Sequence, residues 1–186
     1  KQKLLDDMKN NRKSYPEVLT KARAALEQKL SAVYGRTIKV WIFADLFDVE
    51  DEEWKNAVEG RLGRLKLSLI TEPKVAADAA KAFREMGQFE EIDLIHSEAV
   101  TKSNPRAEEG SLYEAVRAVE PFADSCLKRY LGRIMKCRTV EELRSVKDGV
   151  TPDCYSYSNF IFRHLKKRDY TVGACIGSKV SRARQQ

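Results

Sequence analysis

The sequence has no apolar run near the roughly 18–20 residues that cross a bilayer, and no signal peptide is visible. It has no Cys-x-x-Cys pair: Cys126, Cys137, Cys154 and Cys175 stand 11, 17 and 21 residues apart. That spacing argues against a zinc ribbon, and a chain this long without secretory marks does not suit a disulfide framework. Free, buried thiols in a cytoplasmic protein are the expected reading. Histidine is scarce too. His96 and His164 are the whole supply, and neither neighbours a Ser or Cys in a nucleophile motif. No catalytic constellation, metal site or cofactor is expected.

What is present is charge. The 186 residues are 42% hydrophobic and 33% charged, enough apolar content for one sizeable domain or two small lobes, yet more charge than is typical. The net charge of +6 is unevenly placed. Residues 1–34 hold eight Lys/Arg against four Asp/Glu, and residues 160–186 hold seven against one, so the middle is net acidic. Basic ends favour a polyanion partner; solvated helix faces are the competing explanation. The chain opens on Lys1 and closes in a polar stretch of helical composition, so it reads as a piece of a longer protein.

Ser14-Tyr-Pro-Glu17 is a capping box, and the helix it opens carries Leu19, Leu26 and Val33 at heptad spacing, with Ala22 and Leu30 beside them. This narrow seam suits a coiled-coil end better than a core helix. Strands are expected at Thr37–Phe43, at Leu65, Leu67 and Leu69 alternating with Lys66 and Ser68, and at Ile92–His96. Helices are expected at Trp54–Leu62 and Val75–Met86, the latter stopped by Gly87. Ser97–Gly110 reads as a polar loop between two lobes. Beyond it, Ser111–Val119 and Phe122–Leu131 read as helices and Arg133–Cys137 as a strand. Thr139-Val-Glu-Glu142 is a second capping box, and Tyr155–Phe162 and Tyr170–Ile176 read as further strands. Leu62-Gly63 and Leu131-Gly132 each close a helix before a basic-apolar stretch, a loose repeat.

Three motifs imitate chemistry. Six carboxylates in Asp45–Glu53 lack the Asp-x-Asp-x-Asp-Gly order of a calcium loop and read as an acid-rich helix start. Gly60-Arg-Leu-Gly63 follows a helix, whereas phosphate-binding glycines precede one, so Gly63 reads as a C-cap. Gly173-Ala-Cys-Ile-Gly177-Ser-Lys179 has three residues between its glycines and Ser before Lys, the wrong register for a Walker loop. It reads as a tight connection with Ser178 as N-cap.

The order of features resembles the hinge domain of structural maintenance of chromosomes (SMC) proteins. The resemblance runs through Ala44-Asp-Leu-Phe-Asp-Val49, Trp54-Lys-Asn-Ala-Val-Glu59, Leu62-Gly63 and Leu67-Ser-Leu-Ile70. It continues through Ser111-Leu-Tyr-Glu-Ala, Tyr130-Leu-Gly132, Val150-Thr-Pro-Asp153 and Ile176-Gly177, with Gln185 further on, and covers most of residues 33–186. The details look closer to the MukB- and MksB-like condensins and the SMC-like subunit of Wadjet plasmid-defence systems. The resemblance implies an α/β (α+β) hinge of two lobes with small sheets and flanking helices. Residues 1–33 would end one coiled-coil arm, 34–97 form lobe I, 98–177 lobe II, and 178–186 start the returning arm.

It further implies a non-enzymatic homodimerisation hinge in the cytoplasm, at the nucleoid or a plasmid, with an ATPase in head domains elsewhere and other complex subunits as partners. The glycine-rich dimer motif of many such hinges is reduced here to Gly149, Gly173 and Gly177. Tyr155, Tyr157, Gly173, Ile176 and Gly177 are therefore the candidate dimer contacts, although the two tyrosines suit a core equally. Nonspecific, salt-sensitive contact with double-stranded DNA is expected from Lys21, Arg23, Lys29, Arg163, Lys166, Lys167, Arg168, Lys179, Arg182 and Arg184. The rivals are a small nucleotide-binding α/β enzyme built on 173–179, and a nucleic-acid-binding module with no dimer role.

Overall fold

A computed structural model of the chain describes residues 15–177. The expected caps Ser14 and Ser178 lie outside them, as do Lys179, Arg182, Arg184 and Gln185. The first helix, α1 (Glu17–Tyr34), starts after Pro16, whose fixed φ suits helix entry, and ends on Gly35 in the left-handed conformation. Its stripe of Leu19, Ala22, Leu26 and Leu30 is fully buried in the domain's own core. Each such leucine contributes about 1.5–3 kcal/mol by leaving water. Val33, the third member of the expected seam, is exposed. The seam expected to serve a coiled coil is therefore a core face.

The polar side of α1 shapes the segment after Gly35. Ser31 Oγ accepts from Ile38 N at 3.0 Å, and a Glu27 carboxylate oxygen accepts from Val40 N at 3.0 Å. Side chains thus take the amides that a strand over 37–43 would need, and only Trp41–Ile42 (β1) pairs, antiparallel to Leu69–Ile70 (β3). Between them lie Phe47–Val49 (β2) and a 3₁₀ turn at Glu52–Trp54, where the Asp51 carboxylate accepts from Glu53 N. The helix α2 (Lys55–Leu62) comes next. Only the end of the acidic run, Asp51–Glu53, is a helix start; Asp45 lies in an earlier 3₁₀ turn and Asp48 in β2.

Gly63 caps α2 at φ 48, ψ −125, a region closed to side chains with a Cβ, and donates back to the Glu59 carbonyl. Gly63–Leu67 then coils as a 3₁₀ helix instead of extending, with Lys66 and Ser68 buried and Leu65 and Leu67 only half-buried. From Leu65 to Ser68 the expected phase is inverted, while Leu69 is buried as expected. The cause is a buried partner for Lys66, the carboxylate of Glu59.

The helix α3 (Ala76–Arg84) is shorter at both ends than expected. Ile92–His96 makes a single bridge, Leu94 to Leu69, and no strand. The expected loop after it contains α4 (Ser97–Lys102), whose first turn is capped by His96 Nδ1 accepting from Ala99 N at 2.9 Å. Ser111–Val119 is not a helix: a 3₁₀ turn at Leu112–Ala115 leads into β4 (Val116–Ala118), antiparallel to β2. Val116 and Val119 favour extension, and β2 offers a free edge.

The second half is built on α5 (Pro121–Leu131) and a four-stranded sheet, β5 (Met135–Lys136), β6 (Asp148–Val150), β7 (Tyr155–Ser158) and β8 (Ile161–His164), in that spatial order. β5 and β6 are parallel and joined by α6 (Val140–Arg144). The capping box of α6 forms with one change: Thr139 accepts from Glu142 N, while Glu142 accepts from Arg138 N. Tyr155–Phe162 is two strands rather than one, since Asn159 and Phe160 both take positive φ and fold β7 onto β8. Tyr170–Ile176 is likewise no strand; α7 (Lys167–Tyr170) ends in turns and an irregular segment. Bidentate Arg61–Asp148 bonds at 2.6 and 3.1 Å tie α2 to β6.

Candidate functional site

Two features stand out: a buried ionic anchor that fixes the chain's exit, and an uncovered sheet edge. The anchor starts from Glu59, which shares the α2 face of Val58 and Leu62 and is fully buried. Lys66 Nζ lies 2.9 Å from one carboxylate oxygen and Lys55 Nζ 2.9 Å from the other. The amides of Cys175 and Ile176 each donate to that carboxylate at 3.1 Å. Lys66 Nζ also donates to the carbonyls of Glu59 and Asp169.

Burial alone pushes the Glu59 carboxyl up, but the charges and hydrogen bonds of Lys66 and Lys55 more than reverse this and hold it below the usual carboxylate range. The segment that imitates a phosphate loop thus already holds an anion, and that anion is the chain's own Glu59. Gly177 N donates to the Ala44 carbonyl at 3.0 Å, which occupies the next amide as well. Among the described residues no group of His, Cys, Asp and Glu is arranged to hold a metal.

Gly177 lies at φ 92 with Asp48 where a Cβ would project. At the other end of the described chain, Tyr15 donates to Asp45 Oδ1 at 2.7 Å, and burial together with the Asp45 charge pushes its phenol up. Residues 15 and 177 are therefore both fastened to the short segment Ala44–Asp48. The two ends of the described residues are thus held at one place.

The uncovered edge is β8, last in its sheet and exposed at all four positions. Phe160 at the hairpin tip is 89% exposed, Ile161 49% and Phe162 40%. A two-residue hairpin turn with both φ positive favours glycine at its second position, yet Phe160 stands there at φ 62. One face of the hairpin is aromatic: Tyr155 stacks on Phe162 at 5.7 Å, with Tyr157 4.6 Å from Phe162 and His164 4.9 Å from Tyr155.

Of the expected dimer contacts, Tyr155 and Tyr157 belong to this hairpin. Ile176 and Gly177 are buried within the chain itself, and Gly173 is half-buried. Sequence reasoning missed Phe160 and Ile161; the alternation of Tyr155–Phe162 concealed the turn, for which Asn159 was the available signal. Of the expected cations, Arg163 lies on β8, Lys167 and Arg168 on α7 and Lys166 on the link between them, and all four are exposed. Lys21 and Arg23 pair along α1 with Glu17 and Glu27, and Lys29 is exposed.

No family model and no curated protein matches the sequence. Solved structures do. The fold is similar to the SMC hinge domain of Geobacillus stearothermophilus, crystallised as an asymmetric dimer: 12% identity, TM-score 0.63, covering 98% of this chain and 77% of that one. It is also similar to the SMC hinge domain of Pyrococcus furiosus: 16% identity, TM-score 0.53, 81% and 90% covered. A form of the latter with an extended coiled coil gives 16% identity, TM-score 0.52, 99% and 68% covered. At these identities the likeness concerns the fold, which is that of SMC hinge domains.

Proposed function

We propose that the chain is a homodimerisation hinge that joins two arms of an SMC-like protein and performs no chemistry itself. The observation that carries this reading is the β8 edge, an exposed strand headed by Phe160, Ile161 and Phe162. Unpaired strand edges template another chain, and β8 sets one charge, Arg163, and no proline against this. A second copy adding to this edge would satisfy its outward amides and bury the three apolar side chains. The shared anchorage of residues 15 and 177 adds support, because two arms leaving side by side suit a hinge. The occupied amides of Cys175, Ile176 and Gly177 speak against the nucleotide-enzyme rival.

The finer reading places the parent among MukB-, MksB- or Wadjet-type proteins, on the strength of the Trp54–Gly60 pattern. It adds nonspecific duplex contact through Arg163, Lys166, Lys167 and Arg168. The dimer is tested by sedimentation of the chain at micromolar concentration. The wild-type chain should sediment as a dimer, and Ile161→Lys with Phe162→Glu as a monomer whose thermal transition is retained. A monomeric wild type would overturn the reading.

A further inference from the structure

A cleft of about 580 Å³ opens between α4 and α5, away from the anchor and the β8 edge. Arg106, Lys128, Arg129 and Arg133 line it together with Ser103 and Asn104, and no carboxylate does. Lys128 is engaged by Asp124 at 3.2 Å and lies over the Tyr113 ring. Arg106, Arg129 and Arg133 have no carboxylate partner among the described residues. All three are exposed, and they line one concavity without a carboxylate to balance them, so an anion bound there would meet like-signed donors from three sides.

The obvious objection is that α4 and α5 both present C-termini here, where carbonyls disfavour anions and favour cations. Those carbonyls are largely used. Ser103 N and Asn104 N donate to Ala99 and Thr101, Ser103 Oγ to Val100, Gly132 N to Lys128, and Glu108 N to Gly132. Of the side chains that line the cleft, Arg106, Arg129, Arg133 and Asn104 are those whose donors have no partner among the described residues. Asn104, at φ 48, turns the chain so that Pro105 and Arg106 close one side.

We propose that this cleft binds a compact oligophosphate, the chemistry of a nucleotide's triphosphate tail, as a ligand site without catalysis. Guanidinium groups match phosphate oxygens bidentately. The volume falls within the roughly 300–1,000 Å³ of small-ligand sites. Convergence on one concavity, rather than a row along a surface, suits a compact multivalent anion better than a duplex backbone.

The test is calorimetric titration of the full chain with inorganic tripolyphosphate, with a short DNA duplex as a second titrant. Tripolyphosphate should bind, and the triple variant Arg106→Ala, Arg129→Ala, Arg133→Ala should lose at least ten-fold in affinity. Removing three exposed cations elsewhere (Lys81→Ala, Arg144→Ala, Lys147→Ala) should change it less than three-fold. The proposal is overturned by no binding at millimolar tripolyphosphate, by equal losses in the two variants, or by duplex binding through the three arginines without tripolyphosphate binding. Sedimentation of the same samples reports the dimer separately, so the hinge reading and this one can fail independently.

Discussion

Glu59 shows how a single residue can organise a fold whose sequence looks ordinary around it. Two lysines and two backbone amides converge on its buried carboxylate. Removing the charge leaves Lys66 buried and uncompensated, so Glu59→Gln should cost about 3–5 kcal/mol by urea unfolding. Adding Lys66→Met to that variant should recover part of the loss. The acid limb has its origin in the same group. Because its native pKa is depressed, the stabilisation is complete above the ordinary carboxylate range and is lost as pH falls through that range toward the native value. The urea midpoint should hold from about pH 7 to about pH 5 and then fall below about pH 4.5. Glu59→Gln should flatten that fall; an unchanged acid limb would place the titration elsewhere. The clue in the sequence is Glu59 on the apolar face of Val58 and Leu62. Its partners are spread from position 55 to 176, and no local period connects them. For the same reason Lys66 turns inward where the alternation places a leucine. Gly63 is legible as a helix stop, and at φ 48, ψ −125 its replacement by Ala should cost about 1–3 kcal/mol.

Elements long enough to show a period are the readable ones. Both α2 and α5 lie where the apolar spacing puts them, and Thr139 caps α6. The short strands are readable in place but not in length: β1 and β5 fall inside the strands expected at Thr37–Phe43 and Arg133–Cys137, yet each has two residues, because which amides a partner accepts decides how far they extend. The stripe on α1 is legible but its destination is not, since a heptad repeat does not say whether its partner is another arm or the domain's own core. Leu26→Ala should therefore lower stability by about 2–5 kcal/mol. Val33→Ala, at an exposed position, should change it by less than about 0.5 kcal/mol. The β7–β8 hairpin separates fold from function more sharply. Phe160 occupies a turn position that glycine fits better, so Phe160→Gly should stabilise the protomer by about 1 kcal/mol and weaken the dimer. Thermal melts at a concentration below the dimer transition, together with sedimentation above it, read the two effects separately. A variant both less stable and equally dimeric would return Phe160 to an ordinary turn.

At the scale of the molecule, the order of short motifs reaches the right fold where individual elements do not. The hinge arrangement depends on which segments meet, and Ala44–Asp48 meeting both residue 15 and residue 177 is a property of that arrangement. Charge is distributed on the same scale. The net +6 is concentrated in the two terminal segments, while Glu17 and Glu27 already engage two of the α1 cations. Duplex contact, where it occurs, should therefore fall mainly on Arg163, Lys166, Lys167 and Arg168, which lie close together in the chain. Such contact works by releasing counterions from the DNA, so the logarithm of affinity falls linearly with the logarithm of salt concentration, with a slope set by the number of phosphates neutralised. Reversing Lys166, Lys167 and Arg168 to Glu should weaken duplex binding for every sequence tested and reduce the slope by about one for each phosphate no longer neutralised. Reversing Lys21 and Arg23, whose charges are balanced along α1, should change the slope much less. Fluorescence anisotropy with a labelled duplex between about 50 and 200 mM salt measures both slopes. Equal slopes in wild type and the 166–168 variant would make the basic segment a solvated face and leave the proposed hinge without DNA contact there.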